Sequence, residues 1–207
     1  MNICARLQPI LLIATKPMPR RNVRKLALRP PLPRRGIVWF PAFPLDAKIE
    51  AFRTMHDPLA AKIPAHLTLV FPFACTLTST QIASHTRRIV AKWPPLPVIF
   101  RDVEGLLDEF ILLMARDRAE AITALHDELY TGVLRNFLRT EITYEPHITI
   151  ARARSREFFP AILDEAETYF ANGRSIAWRI VMRELCVVTW HTDGRITVDA
   201  TVPLHTN

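Results

Sequence analysis

The sequence predicts an α+β protein in which antiparallel strands pair within each half and the helices pack outside. Short apolar segments of strand length and longer amphipathic segments follow one another in the order β-α-β-α-β-β-α-β-α-β-β. A strand–helix–strand unit that contains a similar short motif occurs twice, which indicates two related halves. Because an antiparallel sheet with one apolar face needs a second layer to bury it, we expect the helices to form that layer.

The strands are predicted where β-branched and aromatic residues cluster between prolines, glycines and other turn residues. The segment Thr192-Asp193-Gly194 forms the turn between the last two strands, and the long strand before it can bend. The predicted strands cover residues 36–40, 65–73, 97–103, 110–114, 144–151, 177–190 and 196–202.

The helices are predicted where apolar residues recur at spacings of three and four. The longest begins at Asp117, which caps it. Its buried stripe comprises Ile122, Leu125, Leu129, Val133 and Phe137. The predicted helices cover residues 46–55, 78–93, 117–137 and 155–170.

Positive charge is concentrated at the N-terminus. The chain has 27 Lys and Arg, 20 Asp and Glu and a net charge of +7, but nine basic and no acidic residues lie within residues 1–35. The rest of the chain therefore carries 18 basic against 20 acidic side chains. This distribution excludes a protein whose folded part coats nucleic acid through a general basic surface.

Residues 1–35 also contain six of the 17 prolines, which disfavours regular secondary structure. We expect a basic, proline-rich, disordered extension, followed by one folded domain over residues 36–207. Three interpretations of the extension stay open: a basic arm, a targeting segment, and residues added by a start codon placed too far upstream. None of the three gives it a part in the chemistry.

Cysteine use and hydropathy indicate a cytoplasmic protein. Cys4, Cys75 and Cys186 are widely spaced and odd in number, and no pair has the spacing of metal ligands, so we expect free thiols. No apolar stretch approaches the roughly 18 residues that a membrane span needs. We therefore expect no membrane partner, and as a separate expectation we take the protein to be a monomer.

Two four-residue segments have the same pattern of histidine, aliphatic residue, threonine and aliphatic residue. They are His66-Leu67-Thr68-Leu69 and His147-Ile148-Thr149-Ile150, they lie 81 positions apart, and both fall in predicted strands. Alternate side chains of a strand share a face, so each histidine should project together with its threonine while the aliphatic residues enter the core.

Two such strands facing each other would provide two imidazoles and two hydroxyls, which suits phosphodiester chemistry. Histidine has a reference pKa of about 6.5 and can act as general acid or general base near neutrality. The hydroxyls of Thr68 and Thr149 can donate hydrogen bonds to nonbridging phosphate oxygens. The sequence contains no cluster of carboxylates that would indicate a metal site. It does not determine whether His66 or His147 is the acid.

The segments Ile63-Pro64-Ala65-His66-Leu67-Thr68-Leu69-Val70 and Pro146-His147-Ile148-Thr149-Ile150-Ala151-Arg152 resemble the two motifs of the 2H phosphoesterase superfamily. More narrowly, they resemble its 2′-5′ RNA ligase / RNA 2′,3′-cyclic phosphodiesterase branch, over roughly residues 36–204. The resemblance implies a bilobal α+β fold with pseudo-twofold symmetry and the motifs facing across a central cleft. It places the catalytic pair on His66 and His147 and phosphate-binding hydroxyls on Thr68 and Thr149.

By the same resemblance, the substrates are RNA ends with 2′,3′-cyclic phosphates, 2′-5′ linkages or small cyclic phosphodiesters, and no cofactor is needed. Arg152 is a further candidate for phosphate, although in a regular strand it should point away from His147, and an inter-element salt bridge is the alternative. Candidates for stacking a base are Tyr144, Trp39, Phe40 and Phe73.

Two alternatives belong to other classes of protein. The first is an RNA- or nucleotide-binding module of the same fold with little or no catalysis, which would not need two titrating imidazoles. The second is a metal site on His66 and His147, for which the sequence shows no third ligand at a suitable spacing.

Overall fold

The computed structural model describes residues 32–42, 46–171 and 177–205. Within these ranges the chain forms strands and helices in the order expected for two related halves. The strands are β1 (Arg34–Trp39), β2 (Leu67–Ala74), β3 (Leu96–Leu106), β4 (Phe110–Asp117), β5 (His147–Arg152), β6 (Trp178–Met182), β7 (Glu184–Trp190) and β8 (Ile196–Pro203). The helices are α1 (Asp46–His56), α2 (Ser79–Val90), α3 (Ala119–Leu129) and α4 (Phe159–Ala171), and a 3₁₀ helix (Gly132–Phe137) follows α3.

Most predicted elements differ from the structure by a few residues at their ends, and three differences bear on the fold. β1 begins at Arg34, two residues inside the predicted extension, and residues 1–31 of that extension lie outside the described residues. The helix predicted over 117–137 begins at Ala119, and Asp117 does not cap it, because Asp117 is the last residue of β4. It ends at Leu129 and cannot continue to residue 137, because Gly132 adopts a φ of +53° that an α-helix does not allow. The strand predicted over 177–190 is two strands, β6 and β7, which have different neighbours.

All the strands belong to one antiparallel sheet in the order β6-β3-β4-β5-β2-β1-β7-β8. The units β1-α1-β2-α2 and β4-α3-β5-α4 have the same order of elements, and the two strands of each unit are neighbours. The chain also crosses between the two units. β3, which follows the first unit, pairs with β4 of the second, and β7, which follows the second unit after β6, pairs with β1 of the first. The predicted pseudo-symmetric halves are confirmed as β6-β3-β4-β5 and β2-β1-β7-β8.

The two halves meet where β2 lies beside β5, and we call this place the junction. Its ladder consists of one pair, Leu67 opposite Ile148, whereas β1–β2 and β4–β5 have longer ladders. Two helices cross the junction: α1, which precedes β2, packs against β5, and α3, which precedes β5, packs against β2. The helices therefore hold together two halves whose strands share little hydrogen bonding.

The main core lies between the sheet and the four α-helices, so the helices cover one face of the sheet, as predicted. Its members include Phe52, Ile82, Leu125 and Phe170 from α1 to α4, and Leu67 and Ile148 from the junction. We call the other side of the sheet the open face. A small second cluster of Val38, Cys186 and Val188 lies there, and Phe40, Trp190 and Ile196 pack against it.

Two further expectations concern cysteines and membranes. Cys75 and Cys186 are buried free thiols, as predicted, and Cys4 lies outside the described residues. Among the helices of the described ranges, none is long and apolar enough to cross a membrane.

Leu125→Ala is expected to lower the free energy of unfolding by about 3 kcal/mol, because it leaves a cavity in the main core. Leu125 is fully buried on α3. The matched control is Met55→Ala on α1, where the side chain is 56% exposed and the loss should stay below about 1 kcal/mol. Urea unfolding followed by circular dichroism measures both variants, and equal losses would contradict this placement of the core.

Candidate active site

The two histidine–threonine motifs lie at the junction, and their side chains alternate between the main core and the open face. In both motifs the aliphatic residues are fully buried and the histidine and threonine are half-buried. His66 immediately precedes β2, and His147 is the first residue of β5. The open-face residues are His66, Thr68, His147 and Thr149. This alternation is the one predicted from the sequence.

The pair Leu67–Ile148 determines how the two motifs face each other. In an antiparallel ladder, the residues that precede and follow a paired residue lie opposite those that follow and precede its partner. His66 therefore lies opposite Thr149, and Thr68 lies opposite His147. Directly opposite Cβ atoms lie about 5 Å apart, and diagonal neighbours about 7–8 Å apart. The imidazoles therefore occupy diagonal corners of a four-residue group, which we call the His–Thr group, with a hydroxyl at each of the other corners.

The backbone orients both imidazole rings in the same way. Nδ1 of His66 donates to the carbonyl oxygen of Pro64 at 2.8 Å, and Nδ1 of His147 donates to that of Glu145 at 2.6 Å. Because a carbonyl oxygen only accepts, the proton of each neutral ring lies on Nδ1 and the lone pair lies on Nε2. Nε2 is therefore the atom of each ring that can exchange a proton with a bound molecule.

Burial lowers the pKa of both histidines. The pKa of His66 falls to about 4, chiefly because burial disfavours the charged ring; the cations of Arg53 and Arg152 lower it further, and the hydrogen bond to Pro64 opposes the shift. The pKa of His147 is also lowered by burial, while the carbonyl and the carboxylate of Glu145 favour its charged form. Both rings are therefore neutral at pH 7 in the free protein.

A β-bulge follows the second motif and redirects Arg152. Thr149 and Ala151 pair with adjacent residues of β4, which leaves Ile150 as the extra residue. Ile150 and Ala151 are both buried, so the alternation shifts by one and Arg152 returns to the face of His147. The expectation that Arg152 points away from this face assumed a regular strand and is wrong for that reason.

A bulge at the equivalent place follows the first motif. Thr68 and Val70 pair with adjacent residues of β1, which leaves Leu69 as the extra residue. Leu69 and Val70 are buried, and Phe71 is half-buried, with its ring edge-on to the rings of His126 and Tyr144. Phe71 and Arg152 are thus equivalent residues of the two halves. Phe71 was not among the predicted site residues, although its position five residues after the histidine, like that of Arg152, was a usable indication.

Arg152 is held in place mainly through charge. Its Nε lies 3.3 Å from Oδ1 of Asp57, and its guanidinium carbon lies 5.2 Å from the centre of the Phe110 ring. The inter-element salt bridge considered for Arg152 is therefore present. No hydrogen bond joins its guanidinium to another described residue, so its Nη groups can bind an anion.

Two predicted base contacts lie in the main core instead. Trp39 and Phe73 are 3% and 8% exposed, and they stack on Phe100 and Phe137. Trp39 pairs with Leu67, which places its side chain on the helix-covered face. Neither ring presents a face to a base, so these two predictions are corrected.

Tyr144 supports the first motif from the neighbouring half. Its hydroxyl donates to the carbonyl oxygen of Thr68 at 2.9 Å, and burial raises the pKa of Tyr144, so the hydroxyl stays protonated. Its ring stacks on His126 at 3.7 Å, and Nδ1 of His126 donates to the carbonyl oxygen of Leu69 at 2.7 Å. Tyr144 therefore holds the backbone of the motif, and a contact with substrate stays a prediction.

Half-buried aromatic side chains lie on the open face at both ends of β1, with Phe40 beside His66 and Trp190 at the far end. The ring centres of Phe40 and His66 lie 6.1 Å apart. Trp190 lies across Gly36, since a Cβ there would come within 2.8 Å of the indole ring. We call Phe40 and Trp190, with the apolar cluster beneath them, the aromatic wall.

Together these residues provide groups for moving two protons and for holding one anion. The two Nε2 atoms can carry protons, and the two hydroxyls and the guanidinium of Arg152 can bind an anion. Among the described residues, no three His, Cys, Asp or Glu side chains are grouped so as to hold a metal ion.

Long-range ¹H–¹⁵N NMR at pH 7 is expected to show the Nδ1-protonated neutral tautomer for both His66 and His147, because each Nδ1 donates to a carbonyl. On acidification His66 should stay neutral well below the ordinary value of 6.5. An Nε2-protonated tautomer, or a midpoint above 6.5 for His66, would contradict the geometry.

Known proteins show both the sequence pattern and the fold. The profile of the 2′-5′ RNA ligase superfamily matches residues 41–194, which include both motifs. A candidate phosphoesterase of Bacillus licheniformis is 29% identical over 122 residues, which are 58% of this chain and 71% of that protein.

Two solved structures of E. coli LigT have a similar fold. The apo form matches with a TM-score of 0.57 and 18% identity over 84% of this chain and 98% of LigT. The complex with 3′-AMP matches with a TM-score of 0.57 and 17% identity over 84% and 99%. The chain belongs to the 2′-5′ RNA ligase superfamily, and it has the α+β fold of the two-histidine phosphoesterases.

Proposed function

We propose that the chain is a phosphodiesterase that opens 2′,3′-cyclic phosphates of RNA ends or cleaves 2′-5′ linkages, with His66 and His147 as general acid and base. The observation that carries the proposal is the His–Thr group, in which imidazoles and hydroxyls from two strands share one face of the junction. Membership of the superfamily supports phosphoester chemistry.

In-line displacement at phosphorus needs two proton transfers on opposite sides of the phosphate. One ring accepts at Nε2 the proton of the attacking water, and the other donates from Nε2 to the departing ribose oxygen. The diagonal placement of His66 and His147 gives each ring access to a different side. In the reverse direction the rings exchange roles, and the cyclic phosphate is itself the activated group, so 2′-5′ ligation would need no nucleotide cofactor.

The negative charge of the phosphate requires donors that are in place before the reaction. Thr68 and Thr149 lie beside the rings and can donate to the nonbridging oxygens. Arg152 adds a guanidinium whose Nη groups have no hydrogen bond to another described residue. The proposed mechanism uses no metal and no cofactor.

Aromatic surface beside the rings suits a nucleobase. Phe40 lies next to His66, at the end of the aromatic wall that is nearest to the imidazoles. E. coli LigT has been crystallised with 3′-AMP, which supports a nucleotide as the ligand class. Since residues 36–207 have no excess of basic side chains, we favour short RNA ends or small cyclic nucleotides over long duplexes.

His66→Ala and His147→Ala are each expected to reduce kcat/KM for a 2′,3′-cyclic mononucleotide by about 10²- to 10⁴-fold, because each removes one proton transfer. The assay contains EDTA, includes a short RNA with a cyclic end, and identifies the product isomer, for which we expect the 2′-phosphate. His191→Ala, which removes a ring from the exposed β7–β8 turn, is the matched control and should keep full activity.

Each variant is checked for folding by circular dichroism before the comparison. Activity that requires added metal, or that survives in either active-site variant, would refute the two-histidine mechanism. Failure of the wild type on cyclic and 2′-5′ substrates alike would favour the binding-module alternative.

The pH dependence of kcat/KM is expected to be bell-shaped, with its acidic limb below pH 6.5. The general base must be neutral to act, and burial lowers the pKa of both candidate rings, so the base keeps its lone pair at lower pH than an exposed histidine would. Initial rates between about pH 4 and 9 test this expectation. A flat profile would count against two titrating imidazoles.

A further inference from the structure

One buried carboxylate at the junction takes no part in the proposed proton transfers. Asp57 directly follows α1, and its side chain is 1% exposed. Its Oδ2 accepts a hydrogen bond from Arg53 at 3.0 Å, and its Oδ1 accepts one from the backbone N–H of Leu59 at 3.0 Å. Oδ1 also lies 3.3 Å from Nε of Arg152. Asp57 therefore sits between two arginines that come from α1 and β5.

The arginine of α1 binds the segment that leads into His66. Arg53 is 3% exposed and donates from Nη2 to the carbonyl oxygen of Ile63 at 2.7 Å. From Nη1 it donates to both carboxylate oxygens of Glu50, at 2.9 and 3.0 Å. Glu50 in turn accepts a hydrogen bond from the backbone N–H of Ala65 at 2.8 Å. Two backbone groups within three residues of His66 are thereby bound to α1.

The arginine of β5 is less firmly held by its surroundings. Nε of Arg152 is buried and makes no hydrogen bond, although Asp57 lies 3.3 Å away. A pocket of about 160 Å³ is lined by both residues together with Phe158 and Ile162. Packing therefore leaves the guanidinium room to turn, and such a turn is opposed by the charge of Asp57 and by the contact with the Phe110 ring.

We propose that Asp57 is a positioning residue for this reaction: through Arg152 it holds the cation that meets the phosphate, and through Arg53 it holds the segment that carries His66. The inference rests on the proposed function and adds a carboxylate that touches no substrate. One side chain then couples the first motif to the strand of the second.

The expected effect is on substrate binding more than on the chemical step. A buried ion pair adds little net stability over an apolar contact of the same size. A guanidinium that is fixed before the substrate arrives, however, loses less conformational entropy on binding. Loss of Asp57 should therefore raise KM.

The first test uses Asp57→Asn in the full chain, since asparagine keeps the size and can still accept the Leu59 hydrogen bond. We expect KM for a 2′,3′-cyclic mononucleotide to rise about tenfold while kcat changes less than about threefold. Arg152→Ala should raise KM as well, and the double variant should be no worse than Arg152→Ala alone. Asp117→Asn, which removes an exposed ion pair with Arg101, is the matched control.

The second test reads the same charges without turnover, by NMR titration of His66. The charged groups that act on its ring are Arg53, Arg152 and His147. Asp57→Asn leaves the arginines uncompensated and should move the His66 midpoint down, whereas Arg53→Met removes a cation and should move it up. Loosened packing alone would move both midpoints up, because burial would be relieved in both variants.

Should Asp57→Asn fail to fold, Asp57→Glu keeps the buried charge, displaces it by one methylene, and should raise KM in a folded protein. An unchanged KM in a folded Asp57 variant, or additive effects with Arg152→Ala, would overturn the positioning role and leave the phosphodiesterase proposal standing. A wild type without turnover would overturn the proposed function instead. In that case, opposite shifts of the His66 midpoint in Asp57→Asn and Arg53→Met would still support the electrostatic role of Asp57, and shifts in the same direction would refute it.

Discussion

The two halves of the sheet touch through Leu67 and Ile148, and the candidate site exists because this contact is so short. A longer β2–β5 ladder would close the space between the motifs, and no ladder would leave the imidazoles without a fixed separation. Where the strands part, the backbone of β2 needs other hydrogen-bond partners, since unpaired buried groups are costly. Tyr144, His126 and Tyr130 supply them, at Thr68, Leu69 and Phe71.

The two helices that cross the junction support it in different ways. His126 and Tyr130 belong to the end of α3, and burial lowers the pKa of His126, so it bonds the backbone of β2 as a neutral ring. The helix α1 instead supports the junction with charged side chains, from Arg53 and from Asp57 just beyond its end. The pseudo-symmetry of the fold therefore does not extend to the chemistry of its supports, and only His66 has two arginine cations acting on it.

The local sequence was sufficient to predict which way the side chains of the two motifs point, because the alternation of side chains along a strand is a local property. The pattern of His66 and Thr68 outward with Leu67 inward needs no knowledge of the neighbouring strand. The position of Arg152 was predicted wrongly because a bulge is decided by the register with the partner strand, which the sequence of β5 alone does not contain. The prediction that Trp39 stacks on a base was wrong for the same reason, since the face of the sheet on which its side chain lies depends on its pairing with Leu67.

The charges of the site also determine when a proton becomes available. In the free protein both rings are neutral and the arginines are paired with carboxylates, so an anion is bound by the hydroxyls and the Nη groups of Arg152 rather than by a protonated histidine. For the proposed phosphodiester substrate, bound negative charge beside His66 and His147 favours the protonated ring and raises its pKa. By linkage, substrate binding and proton uptake then strengthen each other. The substrate thus helps to create the general acid that its own cleavage requires, while the diagonal partner keeps the lone pair that the base needs.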